Sequence, residues 1–82
     1  MNNEIILDTR ELEAPEPMNV VINRLKLLSE ERYIKMIHRI EPKMLYTHLL
    51  KNDLNYKVDI KDNVVILVWN NKFRYKTLFE LL

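Results

Sequence analysis

The chain reads as an α+β two-layer sandwich, a mixed four-stranded sheet with two helices on one face, in the order β-α-β-α-β-β. Three observations predict this. Apolar residues recur at helical spacing behind two proline-led starts, over residues 17–28 and 42–51. Short strand-forming runs stand before, between and after them. The break Lys61-Asp62-Asn63 between the last two runs is a hairpin turn. With 82 residues there is room for one core, and a chain of this size buries roughly 60% of its unfolded surface.

The elements follow in order. Ile5-Ile6-Leu7, within residues 4–8, is an apolar run that suits a buried strand. Glu13-Ala14-Pro15-Glu16-Pro17 then marks a helix start, where a missing N–H is harmless and carboxylates favour the positive end of the dipole. Met18, Val21, Ile22, Leu25 and Leu28 make one helical face behind it. Residues 32–38 form a second strand, with Ile34 and Met36 on one face and Tyr33 and Ile37 on the other. Glu41-Pro42 opens a second helix carrying Leu45, Leu49 and Leu50 and ending at Asn52-Asp53. Tyr56, Val58 and Ile60 alternate with Lys57 and Asp59 in a half-buried third strand. The fourth strand, residues 64–69, is apolar on both faces and calls for cover on both.

Residues 1–72 are therefore expected to form the domain, followed by an amphipathic segment over 73–82. In that segment Tyr75, Leu78, Phe79 and Leu82 fall at i, i+3, i+4 and i+7. So short a helix is not stable alone, so it packs on its own sheet or on a partner.

Composition removes whole classes of function. There is no cysteine, hence no disulfide, no thiolate metal site and no thiol nucleophile. There is no glycine, hence no phosphate-cradling loop of the Walker or Rossmann kind. The net charge of +1 divides into −4 over residues 1–20 and +5 over the remainder, a dispersed excess rather than a basic stripe for nucleic acid. Met1-Asn2-Asn3-Glu4 has no basic region ahead of an apolar run, so a secretory signal is not read. The longest apolar run falls far short of the ~20 residues that span a bilayer. The expected location is cytoplasmic, without membrane insertion.

The stretch Leu7-Asp8-Thr9-Arg10-Glu11-Leu12-Glu13-Ala14-Pro15-Glu16-Pro17 resembles the signature of the TusA/SirA-like superfamily. There a strand leads through an Asp-containing loop to Cys-Pro-x-Pro, which opens the first helix. The element order of residues 4 to about 70 agrees, and Glu41-Pro42-Lys43-Met44-Leu45-Tyr46 resembles the proline-led second helix of a cysteine-less branch of unknown function. Ala14 stands where sulfur-carrying members have cysteine. Persulfide transfer needs a thiolate, and a methyl group supplies none.

If the first two strands are parallel, both helices begin at the same end of the sheet, beside Arg10, His38, Arg39 and Lys43. Orphan N–H groups and cations together suit an anion. The same arginines also suit neutralisation of Glu11, Glu13, Glu16 and Glu41 on a solvated rim. His38 and His48 stand ten residues apart on different elements, too few ligands for a metal. Trp69 suits core or sheet-edge packing, and the antiparallel fourth strand that the resemblance implies places it at the edge away from the helix starts, where it, Lys72 and Arg74 make a fallback site. Lys72, Arg74 and Lys76 with Phe73 and Tyr75 form a thin nucleic-acid surface.

What the resemblance implies is a non-catalytic accessory binding module of a redox or respiratory system, one that binds a partner protein or an anionic cofactor and carries no sulfur. The alternatives are a subunit of electron transport that binds flavin mononucleotide (FMN), an RNA-binding module and, last because no nucleophile, metal cluster or cofactor loop appears in the sequence, an enzyme.

Overall fold

The elements occur in the expected order in the structure, a computed structural model that describes residues 3–75. They are β1 (Glu4–Asp8), α1 (Glu16–Arg24), a 3-10 turn (Leu25–Leu27), β2 (Tyr33–His38), α2 (Lys43–Lys51), β3 (Asn55–Ile60) and β4 (Val64–Trp69). The sheet order is β1-β2-β4-β3. β1 and β2 are parallel, while β4 runs antiparallel to both β2 and β3. β4 is thus an interior strand, and its continuous apolar sequence follows from that position.

Register decides which side chains meet. Ile5 lies opposite Ile34, Leu7 opposite Met36, Met36 opposite Ile66 and Ile34 opposite Val68. Those side chains share the helix-bearing face, where Val21 of α1 and Leu45 and Leu49 of α2 close over Ile34, Met36, Val64, Ile66 and Val68. Both helices therefore sit on one face. Tyr56 and Val58 of β3 pack on the flank of this core, and the Tyr46 and Tyr56 rings stack at 4.7 Å. Ile60 and Leu50 are exposed instead.

α1 is shorter than its apolar spacing predicts. It ends at Arg24, and Leu25–Leu27 continues as a 3-10 turn closed by Leu28 N–H donating to Leu25 O at 3.1 Å. A 3-10 turn places i and i+3 on one line, so Leu25 and Leu28 both still reach the core. Pro42 caps α2 rather than opening it, and β2 begins at Tyr33, one residue later than expected.

The C-terminus of α2 closes without glycine. Asp53 adopts a left-handed φ of 56°. Its N–H donates to Leu50 O at 3.2 Å, and Leu54 N–H donates to Leu49 O at 3.0 Å. This is the paired hydrogen-bond pattern of a Schellman ending, and Leu49 and Leu54 belong to the same apolar cluster.

On the other face, Leu67 is covered by Phe73, with Tyr33 and Trp69 alongside. Tyr33 meets Phe73 edge-on at 5.6 Å, and Tyr75 does so at 5.8 Å. Arg74 N–H, donating to Glu30 O at 2.8 Å, ties this segment beside the start of β2. Leu78, Phe79 and Leu82 lie outside the described residues. No helix among the described residues is long and apolar enough to cross a membrane.

Candidate functional site

Because β1 and β2 are parallel, both end at the same end of the sheet, and α1 and α2 start there. Arg10, His38, Arg39 and Lys43 are brought to this end. Trp69, Lys72 and Arg74 lie at the other, since Val68, the neighbour of Trp69, pairs with Ile34 near the start of β2. There Phe73 is buried between exposed Lys72 and Arg74.

Most of the cationic groups at the helix starts are already engaged. Arg10 grips the Asp8 carboxylate with two bonds, Nε to Oδ1 at 2.9 Å and Nη2 to Oδ2 at 2.6 Å. That hydrogen-bonded guanidinium lowers the Asp8 pKa to about 2 and raises that of Arg10. Arg39 folds over the β1–α1 loop: Nε donates to Arg10 O, and Nη2 donates to Leu12 O at 3.1 Å and Glu13 Oε1 at 3.3 Å. Lys43, at the first position of α2, makes no ion pair or side-chain hydrogen bond among the described residues. Glu41 accepts from the Tyr46 hydroxyl at 3.2 Å, and burial of that phenol, with the Glu41 charge beside it, pushes its pKa well up.

Between the helix starts lies an apolar groove of about 260 Å³. Leu12, Ala14, Pro15, Pro17 and Met18 line one wall, and Ile40, Pro42, Met44 and Leu45 the other. Glu13, Arg39, Glu41 and Lys43 also border it. Ile40 and Met44 are 65% and 77% exposed, unusually so for their size.

His38 also lines the groove, yet it is only 6% exposed. It lies on the helix-bearing face at the end of β2, in the alternation that buries Ile34 and Met36. Its Nδ1 lies 2.9 Å from Thr9 O and 3.2 Å from Thr9 Oγ1. The Thr9 hydroxyl donates its own proton to Ile37 O at 2.9 Å. Both Thr9 oxygens can then only accept, so Nδ1 carries the proton of the neutral ring and Nε2 is left as a bare acceptor. Nε2 makes no hydrogen bond among the described residues. Since no described side-chain nitrogen or oxygen is both fully buried and unpartnered, Nε2 keeps access to open space, and His38 is among the residues that line the groove.

Thr9 is the residue that sequence reasoning missed. Its 1% exposure and its bonds to both Ile37 and His38 make it the anchor of the groove floor. Ile40 and Met44 were also unmarked, because neither breaks a local pattern. Among the described residues no group of three or more His, Asp or Glu side chains could hold a metal ion. Comparison of the chain with protein-family models, with curated protein sequences and with solved structures returns no significant match.

Proposed function

We propose that the chain is a non-catalytic binding module, an accessory protein of a redox or respiratory system, and that the groove between the starts of α1 and α2 receives an apolar element of a partner protein. The observation that carries the reading is the pairing of that groove with Ile40 and Met44, 65% and 77% exposed on its rim. Burying such a side chain is worth roughly 1.5–3 kcal/mol, and methionine adapts its shape to irregular partners. Glu13, Arg39, Glu41 and Lys43 supply the charged rim that surrounds an apolar interface centre. The volume also favours a protein element. Pockets for whole small ligands run from about 300 to 1,000 Å³, and about 260 Å³ falls below that range. The redox setting rests on the TusA/SirA-like resemblance, whose element order the fold shares; sulfur carriage is no part of it, because Ala14 holds the cysteine position and the chain has no thiol.

FMN is the second reading. Lys43, unpaired among the described residues at the start of α2, favours it by offering a cation for a phosphate beside the apolar groove. Arg10 and Arg39 support it less, each being held by a carboxylate of the chain itself. RNA binding has the least support, since Phe73 is buried rather than presented for stacking.

The test is a partner recovered with the chain from its native cells, identified by mass spectrometry and then purified. Met44→Glu should weaken that partner roughly 10- to 100-fold, the equivalent of one lost apolar side chain. Lys26→Glu, in the 3-10 turn that follows α1, should leave binding unchanged. Equal binding by wild type and Met44→Glu would overturn the reading, and FMN titration with shifts at Lys43 would select the second one.

A further inference from the structure

We propose that His38 makes the groove selective for an aromatic group bearing a single hydrogen-bond donor, and that its occupant is a tryptophan side chain of the partner protein. The inference rests on the groove reading above and specifies what enters it. The groove walls are largely apolar, and the nitrogen on its floor is of one kind. Thr9 O and Thr9 Oγ1, at 2.9 and 3.2 Å, fix the ring proton on Nδ1, so Nε2 accepts and does not donate. The ring is 6% exposed and cannot turn away to satisfy Nε2 elsewhere without breaking both contacts.

An acceptor that the occupant covers discriminates, because an occupant without a donor leaves it desolvated and unpaired. The chemistry of side chains then narrows the choice. Leucine, methionine and phenylalanine fill an apolar groove but give Nε2 nothing. Asparagine and glutamine donate, but they bring a carbonyl that the apolar walls cannot satisfy. A tyrosine hydroxyl donates while carrying lone pairs of its own into the groove. The indole of tryptophan is a donor only, on a large apolar body, and matches one acceptor in an apolar slot. A groove of about 260 Å³ suits one such side chain better than a whole cofactor.

The test titrates indole and 1-methylindole into the 15N-labelled 82-residue chain at alkaline pH. The two probes share a ring system, but only indole has the N–H. Indole should shift amides within residues 12–18 and 38–45 and move the imidazole Nε2 resonance of His38 while leaving Nδ1 protonated. 1-Methylindole should bind about three- to tenfold more weakly, the worth of one hydrogen bond. In His38→Phe the two probes should bind alike. Should that variant not fold, the pair of probes on the wild-type chain still decides. Equal affinity of both probes in the groove would overturn donor selection and leave the groove reading standing. A free chain whose Nε2 carries the proton would overturn it as well. If neither probe shifts the groove at millimolar concentration, the groove reading itself fails, and the assignment of tryptophan with it.

Discussion

Asp53→Gly should stabilise the protein, an unusual result for a single substitution. The chain contains no glycine, yet the Schellman ending of α2 requires a left-handed residue, and Asp53 takes that role at φ 56°. A residue with a Cβ in this conformation is strained by about 1–2 kcal/mol, with Asp toward the low end. Its negative charge beside the C-terminus of α2 opposes the helix dipole by a further ~0.3 kcal/mol at an exposed site. Glycine relieves both terms but gives the unfolded chain more freedom, which takes back about 0.4–1 kcal/mol. The remainder is a gain of roughly 0.3–0.9 kcal/mol, or about 1–7 °C in Tm for a domain of this size. The bonds of Asp53 N–H to Leu50 O and of Leu54 N–H to Leu49 O involve backbone alone and survive the change. Calorimetry and urea unfolding measure the effect, with two controls. Asp53→Asn removes the charge and keeps tolerance of the left-handed region, so it should gain only the dipole share. Asp53→Ala also removes the charge, but alanine tolerates the left-handed region less well than Asp, so the two effects cancel and it should gain nothing. If Asp53→Gly melts at or below the wild-type temperature, the strain assigned to this residue does not exist.

Three further outcomes are expected. Asp8, with its folded pKa lowered from 3.8 to about 2 by Arg10, contributes stability that is fully present above pH 3.8 and is lost as pH falls through about 2. Carboxyl-carbon NMR should show Asp8 titrating near 2 and returning toward 3.8 in Arg10→Gln; an unmoved midpoint would mean that Arg10 is not the cause. Phe73→Ala should lower stability by about 3–5 kcal/mol, because a side chain only 2% exposed leaves Leu67 uncovered. That is a large share of the ~4–12 kcal/mol available to 82 residues. A shift in the urea midpoint equivalent to less than 0.5 kcal/mol, the range of ordinary surface changes, would show that Phe73 covers nothing. Deleting residues 73–82 should destabilise at least as much.

What could be read from the sequence was what neighbouring residues encode. The fourth strand is bounded as expected, and its two apolar faces correspond to an interior strand with side chains on both sides. The prolines locate both helix starts to within a residue, because their fixed φ and missing N–H act on the spot. The end of α1 was not legible. Arg24-Leu25-Lys26-Leu27-Leu28 continues the helical pattern, and the switch to a 3-10 turn serves core contacts made by Leu25 and Leu28. Nor was the burial of Phe73, which stands in a run of alternating bases and aromatics that locally resembles a solvated surface.

The site divides along the same line. That Arg10, His38, Arg39 and Lys43 share one end of the sheet follows from element order and a parallel first pair of strands. How each charge is used depends on contacts no spacing encodes. Arg10 turns back on Asp8, and Arg39 reaches across 27 residues to Leu12 O. Thr9 meets His38 across 29 residues and orients its ring through Nδ1. Ala14 sits on the wall of the same groove. Its methyl group adds apolar surface to the slot, which His38 also lines. A slot of that composition gains affinity from shape, apolar burial and one hydrogen bond. Those are the terms on which the proposed binding role rests.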